Sequence, residues 1–296
     1  MTPTHEHPSA GTERTRLAPA LAAAAARLAA AGVASPRVDA ELLAAYTLGV
    51  GRGRLLLIDT LRGDELRRFD ELVAERARRI PLQHLLGTAA FRHLELAVGP
   101  GVFVPRPETE LLAGWGIART APGATVVDLC SGTGAIALSV ADEAEPGRVF
   151  AVERSPAALA YLRRNAAAFP AVRVVPGDVT DPELLADPEL AECRGGVDVL
   201  LCNPPYVPDG TAVPPEVADH DPAEAVFGGA DGLVLIRPVI ALAAALLRPG
   251  GAVGIEHDDV HAEAVVELLR NDGRFADVAA HEDLAGRPRY ATARRV

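Results

Sequence analysis

The sequence predicts an α/β protein: a doubly wound, mostly parallel sheet that ends in an antiparallel carboxyl-terminal hairpin and is preceded by a small helical bundle. Three observations carry that expectation. Short apolar runs alternate with helix-period segments over the carboxyl-terminal two thirds. A glycine turn follows the first of those runs and opens a helix. The amino-terminal third instead carries apolar residues at helical spacing, punctuated by Gly32, Gly49, Gly51 and Gly53.

In chain order, residues 1–12 are rich in Pro, His, Thr and Gly and predict a disordered tail. Its His5 and His7 are a pair of the kind that solvent usually covers. Residues 13–86 predict the helical domain: Ala20 to Ala31 is Ala-rich, Ser35-Pro36 restarts a helix through Asp39, Leu42, Leu43 and Tyr46, and Asp64 to Arg79 carries Leu66, Phe69, Leu72 and Val73. No catalytic cluster stands out there, so a partner-binding module or a stabilising appendage is expected. Residues 87–107 predict a β-hairpin linker, Ala89 to His93 against Leu94 to Val98. The second domain, 108–296, opens on Pro107-Glu108-Thr109-Glu110, where helix capping alone explains the acids and a role in a site is the alternative. Strands are expected at Thr125 to Leu129, Val149 to Glu153, Val172 to Val175, Val197 to Cys202 and Ala252 to Glu256. Helices are expected at Gly134 to Ala141, Ala157 to Ala168, Leu233 to Leu247 and Val260 to Arg270, with Phe275 to His281 and Arg289 to Arg295 forming the final hairpin around Gly286.

Composition narrows the function classes. The 296 residues are 49% hydrophobic and 23% charged, as in a water-soluble globular chain long enough for two domains. With 29 basic and 40 acidic residues the net charge is -11, which disfavours a wide phosphate-binding surface and hence direct nucleic-acid binding. Every basic side chain is arginine, a compositional bias without functional weight. Cys130, Cys193 and Cys202 are an odd number with no C-x-x-C pair, which suggests neither a disulfide framework nor a metal site and suits a reducing cytoplasm. No charged leader with an apolar core and no long apolar run is present, so neither secretion nor membrane spanning is expected.

The chemistry gathers at Val197 to Tyr206, V-D-V-L-L-C-N-P-P-Y. An apolar strand stops at Asn203-Pro204-Pro205-Tyr206, so the polar group sits at a strand's carboxyl end, where open α/β sheets bind ligands. Pro204 and Pro205 stiffen the backbone and leave carbonyls without ladder partners. Asn203 adds a side-chain acceptor and Tyr206 a flat face. Such a group can clamp a planar amine, either an amide or an aromatic amine, although a plain proline turn is the bland alternative.

A second group reads as a cofactor site. Asp128-Leu129-Cys130-Ser131-Gly132-Thr133-Gly134 follows the first strand of the sheet; its glycines let the backbone approach a ligand, and Ala137 stands where a dinucleotide fingerprint often has its third glycine. Glu153 ends the next strand and can accept both hydroxyls of a ribose. Asp178 can accept from an adenine amine, with Val179 against the ring, while helix capping remains the alternative for both acids. Nicotinamide dinucleotides and S-adenosyl-L-methionine share the adenosine. Asp128 discriminates, since an acid before the loop repels a pyrophosphate and suits an amino-acid ammonium.

With these pieces placed, the chain resembles the release factor glutamine methyltransferases from about residue 13 to its carboxyl terminus. The resemblance rests on R-R-I-P-L-Q-H-L-L-G (Arg78 to Gly87), F-V-P-R-P-E-T-E (Phe103 to Glu110), D-L-C-S-G-T-G-A-I-A-L (Asp128 to Leu138), N-P-P-Y, G-G-A-D-G-L (Gly228 to Leu233) and E-D-L-A-G-R-P-R (Glu282 to Arg289). It implies an amino-terminal substrate-binding domain and a class I S-adenosylmethionine-dependent methyltransferase domain with a Rossmann-like sheet. The implied substrate is the glutamine of the Gly-Gly-Gln loop of class-1 peptide chain release factors. By position, Cys130 to Gly134, Glu153, Val179 and Asn203 contact the cofactor with Asp178 beside them, and Asn203, Pro204, Pro205 and Tyr206 hold the glutamine. Departures are Cys130 for a common glycine, Val179 for a frequent aromatic, Asp221 before Pro222 for a frequent Glu, and His257 to His261 for the usual Gly and Gln. The rival readings are a ribosomal-protein glutamine methyltransferase, an adenine N6 methyltransferase and a catalytically silent cofactor-binding module.

Overall fold

The computed structural model describes residues 14–296, so the expected tail over residues 1–12 lies outside the described residues. The chain divides into two compact units, the first ending at Gly87 and the second spanning Thr88–Val296.

In the first unit, β1 (Arg14–Arg16) leads directly into α1 (Leu17–Ala30), whose Leu17, Leu21, Ala24 and Leu28 recur on one buried face. Pro36 starts α2 (Pro36–Leu48), and Gly49, in the left-handed region at φ 64°, ends it. β2 (Thr60–Arg62) precedes α3 (Gly63–Ala77), whose start is capped by Glu65 accepting from the Arg62 N–H at 2.8 Å. The short α4 (Leu82–Leu86) closes the unit. Inside it Arg76 Nε donates to Asp39 Oδ2 at 2.8 Å and Arg76 Nη1 to the Ile80 carbonyl, so this buried pair is both neutralised and hydrogen-bonded. One feature differs from the all-helical expectation: β1 pairs antiparallel with β2. Three-residue strands are too short to show a two-residue period, and their pairing depends on a partner far along the chain.

The second unit starts with the antiparallel hairpin β3 (Thr88–Phe91) and β4 (Leu94–Ala97). Its turn residue Arg92 donates from its backbone N–H to Glu110 Oε1 at 3.0 Å and from its guanidinium to Glu143. Then follow α5 (Thr109–Ile117), β5 (Thr125–Leu129), α6 (Ala135–Glu143), β6 (Arg148–Glu153), α7 (Pro156–Ala166), β7 (Val172–Pro176) and the single-turn α8 (Pro188–Ala191). The chain continues through β8 (Val197–Cys202), α9 (Pro215–His220), α10 (Ala223–Val226), α11 (Ile236–Leu246), β9 (Leu247–Glu256), α12 (Ala262–Asn271), β10 (Phe275–Glu282) and β11 (Pro288–Arg295). The last seven strands of the chain form one sheet in the order β10-β11-β9-β8-β5-β6-β7, parallel from β9 to β7 and antiparallel at β10 and β11. Both faces are covered. Val199 and Leu201 of β8 pack in one apolar cluster while Leu200 and Cys202 pack in the other, which is why the strand reads as a continuous apolar run.

β9 begins five residues before the expected Ala252, and the preceding helix stops at Leu246. Pro249, Gly250 and Gly251 read as a break in the sequence. In the sheet they form an irregular segment opposite Val197 to Val199, with Gly250 at φ 82°.

Candidate active site

β5 and β8 lie side by side, yet the strands that follow β5 run outward on one side and the strand that follows β8 lies on the other. This reversal of strand order opens a crevice at the carboxyl ends of the two strands. The loop after β5 turns sharply, with Cys130, Gly132 and Gly134 all in the left-handed region at φ 60°, 56° and 88°. A side chain at Gly134 would place its Cβ 2.6 Å from Leu162 Cδ1, so packing as well as backbone angle requires glycine there. Gly132 has no heavy atom within 4 Å of where a Cβ would stand, and this leaves its backbone open to a ligand. The crevice encloses a cavity of about 320 Å³.

Cys130, Ser131, Gly132, Thr133, Glu153, Val179, Asn203, Pro204, Pro205 and Tyr206 all line this one cavity. Three expected site residues stand elsewhere. Gly134 lies behind the loop as the cap of α6, donating its N–H to the Ser131 carbonyl at 2.7 Å. Asp128 is buried on the far side of the loop, where Oδ2 accepts from the Ala137 N–H at 3.2 Å and Oδ1 has no partner among the described residues. Loss of hydration raises its carboxyl to about 7. Asp178 accepts from the Thr180 N–H and hydroxyl through Oδ1 and pairs with Arg154 through Oδ2 at 3.2 Å; it lines a shallower neighbouring depression with Ser155, Gly177 and Glu224.

Glu153 is buried at the end of β6, and each of its oxygens takes one backbone N–H: Oε2 from Gly132 at 2.9 Å and Oε1 from Ser155 at 2.7 Å. Each oxygen keeps acceptor capacity for a ligand hydroxyl. Asn203 Nδ2 donates to Thr109 Oγ1 at 3.1 Å, and in this orientation Oδ1 is left without a protein donor among the described residues. The Pro204 carbonyl likewise accepts no hydrogen bond among the described residues. Tyr206 donates its hydroxyl to Glu256 Oε1 at 3.1 Å, and burial beside that carboxyl raises the phenol's pKa.

Four side chains to which the sequence assigned no role in the site stand in or beside the cavity. Thr109 is the first residue of α5 and lines the cavity. Glu256 is 1% exposed at the end of β9, and burial lifts its carboxyl to about 7 against the pull of the Thr109 and Tyr206 hydroxyls and the Arg289 guanidinium. Arg106 forms a short ion pair with Asp221, which joins the Phe103 to Arg106 wall to the segment that follows α9; burial nonetheless raises the Asp221 carboxyl. Glu256 carried a signal, being an acid at the end of an apolar strand like Glu153. A lone hydroxyl at a helix start reads only as a cap. Of the two acids flanking Thr109, Glu110 braces the hairpin turn and Glu108 is exposed.

The residues present fit S-adenosylmethionine. Two acceptors with spare lone pairs at the β6 end suit vicinal hydroxyls, Val152 and Val179 offer apolar wall to a ring, and the open Gly132 backbone permits close approach. A doubly wound sheet that presents ribose acceptors on one strand end and amine acceptors two strands away is that of the class I S-adenosylmethionine-dependent methyltransferases. Family models match accordingly, the FtsJ-like methyltransferase over residues 109–282 and the PrmC N-terminal domain over residues 19–87. The release factor glutamine methyltransferase of Mycolicibacterium smegmatis is 57% identical over 95% of this chain and 99% of its own. That of Streptomyces coelicolor is 49% identical over 93% and 96%. A 4-amino-L-phenylalanine/4-methylamino-L-phenylalanine methyltransferase of Streptomyces pristinaespiralis is 40% identical over 89% and 90%. The chain belongs to the release factor glutamine methyltransferase family.

Proposed function

We propose that the protein methylates the side-chain amide nitrogen, N5, of the glutamine in the Gly-Gly-Gln motif of class-1 peptide chain release factors, in the cytoplasm. The observation that carries this reading is the pair of free acceptors, Asn203 Oδ1 and the Pro204 carbonyl, on the wall of a cavity that Glu153 and the glycine turn also line. Two acceptors held at one strand end match the two N–H bonds of a primary carboxamide. An amide nitrogen is a poor nucleophile, because the resonance that gives a peptide bond its barrier of about 18–20 kcal/mol withdraws its lone pair. Bound S-adenosylmethionine supplies an electrophilic methyl carbon. Asn203 and Pro204 hold both N–H bonds and stabilise the positive charge that grows on nitrogen as it attacks. Tyr206, tethered through its hydroxyl, covers the amide plane. Once methylated, the nitrogen is acidic enough to release its proton without a dedicated base.

Mass spectrometry of a purified release factor after incubation with enzyme and labelled cofactor tests the reading. One added methyl group on the Gly-Gly-Gln glutamine is expected, and Asn203→Ala should lower turnover on the order of 10²-fold. An unmodified factor, or near-native turnover by that variant, defeats it. The Streptomyces pristinaespiralis relative favours a second reading, an aromatic amine in the same clamp. Turnover of 4-aminophenylalanine in place of release factor would select it.

A further inference from the structure

The acceptor role of Asn203 depends on which way its amide is turned. An asparagine amide is nearly symmetric in shape, so packing alone does not separate the two orientations; only hydrogen-bond partners do. In the wrong orientation Asn203 would present an NH2 to the substrate's own NH2 and the clamp would repel. The partner on the protein side is the Thr109 hydroxyl, which both donates and accepts and so does not choose by itself. The choice passes to whatever accepts from the Thr109 hydroxyl.

That group is at hand. Glu256 lies at the end of β9, next to β8 in the sheet, with Oε1 on the Tyr206 hydroxyl at 3.1 Å. Its Oε2 is buried with no hydrogen-bond partner among the described residues, and the Thr109 hydroxyl is among the groups that pull the carboxyl's pKa down. An ionised carboxylate can only accept. We propose that Glu256 is a positioning residue of the methyl transfer: by accepting hydrogen bonds from the Thr109 and Tyr206 hydroxyls it obliges Thr109 to accept from Asn203 Nδ2 and leaves Asn203 Oδ1 facing the substrate amide. This rests on the amide-methylation reading above and extends it to Glu256, which does not line the cavity.

The arrangement makes the clamp sensitive to protonation. A protonated Glu256 can donate to Thr109, whose own proton then turns toward Asn203 and favours the reversed amide. Besides Thr109 and Tyr206, the groups that face Glu256 are the Arg289 guanidinium, which favours its ionised form, the Glu108 carboxylate, which opposes it, and the Cys202 thiol, which burial keeps protonated. Burial places the carboxyl near 7, so the ordered state is lost as the pH falls through neutrality.

The test is turnover of a release factor against pH for the wild type, Glu256→Gln, Thr109→Val and Thr109→Ser, with cofactor affinity measured separately by direct binding. Wild-type kcat should fall on the acid side of about pH 7. Glu256→Gln should lower kcat at pH 8 by about tenfold and abolish that acid limb, while cofactor Kd stays within about twofold. Thr109→Val should lose kcat similarly, and Thr109→Ser should restore most of it. A Glu256→Gln enzyme with wild-type kcat and an intact acid limb overturns the proposal. So does a variant that loses cofactor binding in step with turnover, since that is a structural role only. A wild-type enzyme inactive on every release factor overturns the substrate reading itself, and this proposal with it.

Discussion

Asp128 pays for its place under the glycine turn with an unpartnered oxygen and a carboxyl raised to about 7 by burial. In an unfolded chain an aspartate titrates near 4. Between about pH 4 and pH 7 the folded chain therefore holds a proton that the unfolded chain has released. Stability from this residue falls as pH rises through that window and stays low above it. Asp128→Asn keeps an oxygen for the Ala137 N–H and cannot ionise. Its melting temperature should exceed the wild type's at pH 8, by stability on the order of 1–3 kcal/mol, and the difference should vanish below about pH 4. Scanning calorimetry at the two pH values checks both parts. At this scale the sequence was informative about residue type and strand-end position, which marked Glu153 and Asn203. It was silent about depth, which separates Asp128 and Asp178 from the cavity wall.

At the scale of elements, the strand-to-helix turn depends on a glycine and the wall opposite it on an ion pair. Gly134→Ala forces a side chain onto a backbone at φ 88° and against Leu162, so a loss of about 2–4 kcal/mol is expected in denaturant unfolding, with weaker cofactor binding. Arg106 bridges to Asp221, whose side chain is 1% exposed. Arg106→Leu leaves that carboxyl buried without its partner, and breaking a buried pair costs about 3–5 kcal/mol; since the Arg106 side chain is 33% exposed, the lower end applies. Hydrogen exchange should quicken over residues 215–226 and remain unchanged in β5 and β6. The bounds of β5, β6 and β8 were legible because buried parallel strands are unbroken apolar runs. The pairing of β1 with β2 and the early start of β9 were not, since both depend on neighbours supplied by distant segments.

The whole molecule is two units, of which the second, Thr88–Val296, holds the entire candidate site. A ligand stabilises only what binds it, by about 2.7 kcal/mol at a hundredfold excess over Kd. Calorimetry with S-adenosylmethionine should thus show two transitions, with the ligand moving one; a single transition that shifts as a whole would mean the units unfold together. Among the described residues no helix is long and apolar enough to cross a membrane. The sequence by itself determined the doubly wound class, the glycine turn, the acceptor group at the end of β8 and the family they resemble. These are local patterns, fixed by which residues recur at a strand's or a helix's period and by what stands where an element stops. Only the tertiary structure decided that Asn203 meets Thr109 across 94 positions and Tyr206 meets Glu256 across 50. A hydrogen bond selects its partner by distance in space, and no periodicity along the chain reports that distance.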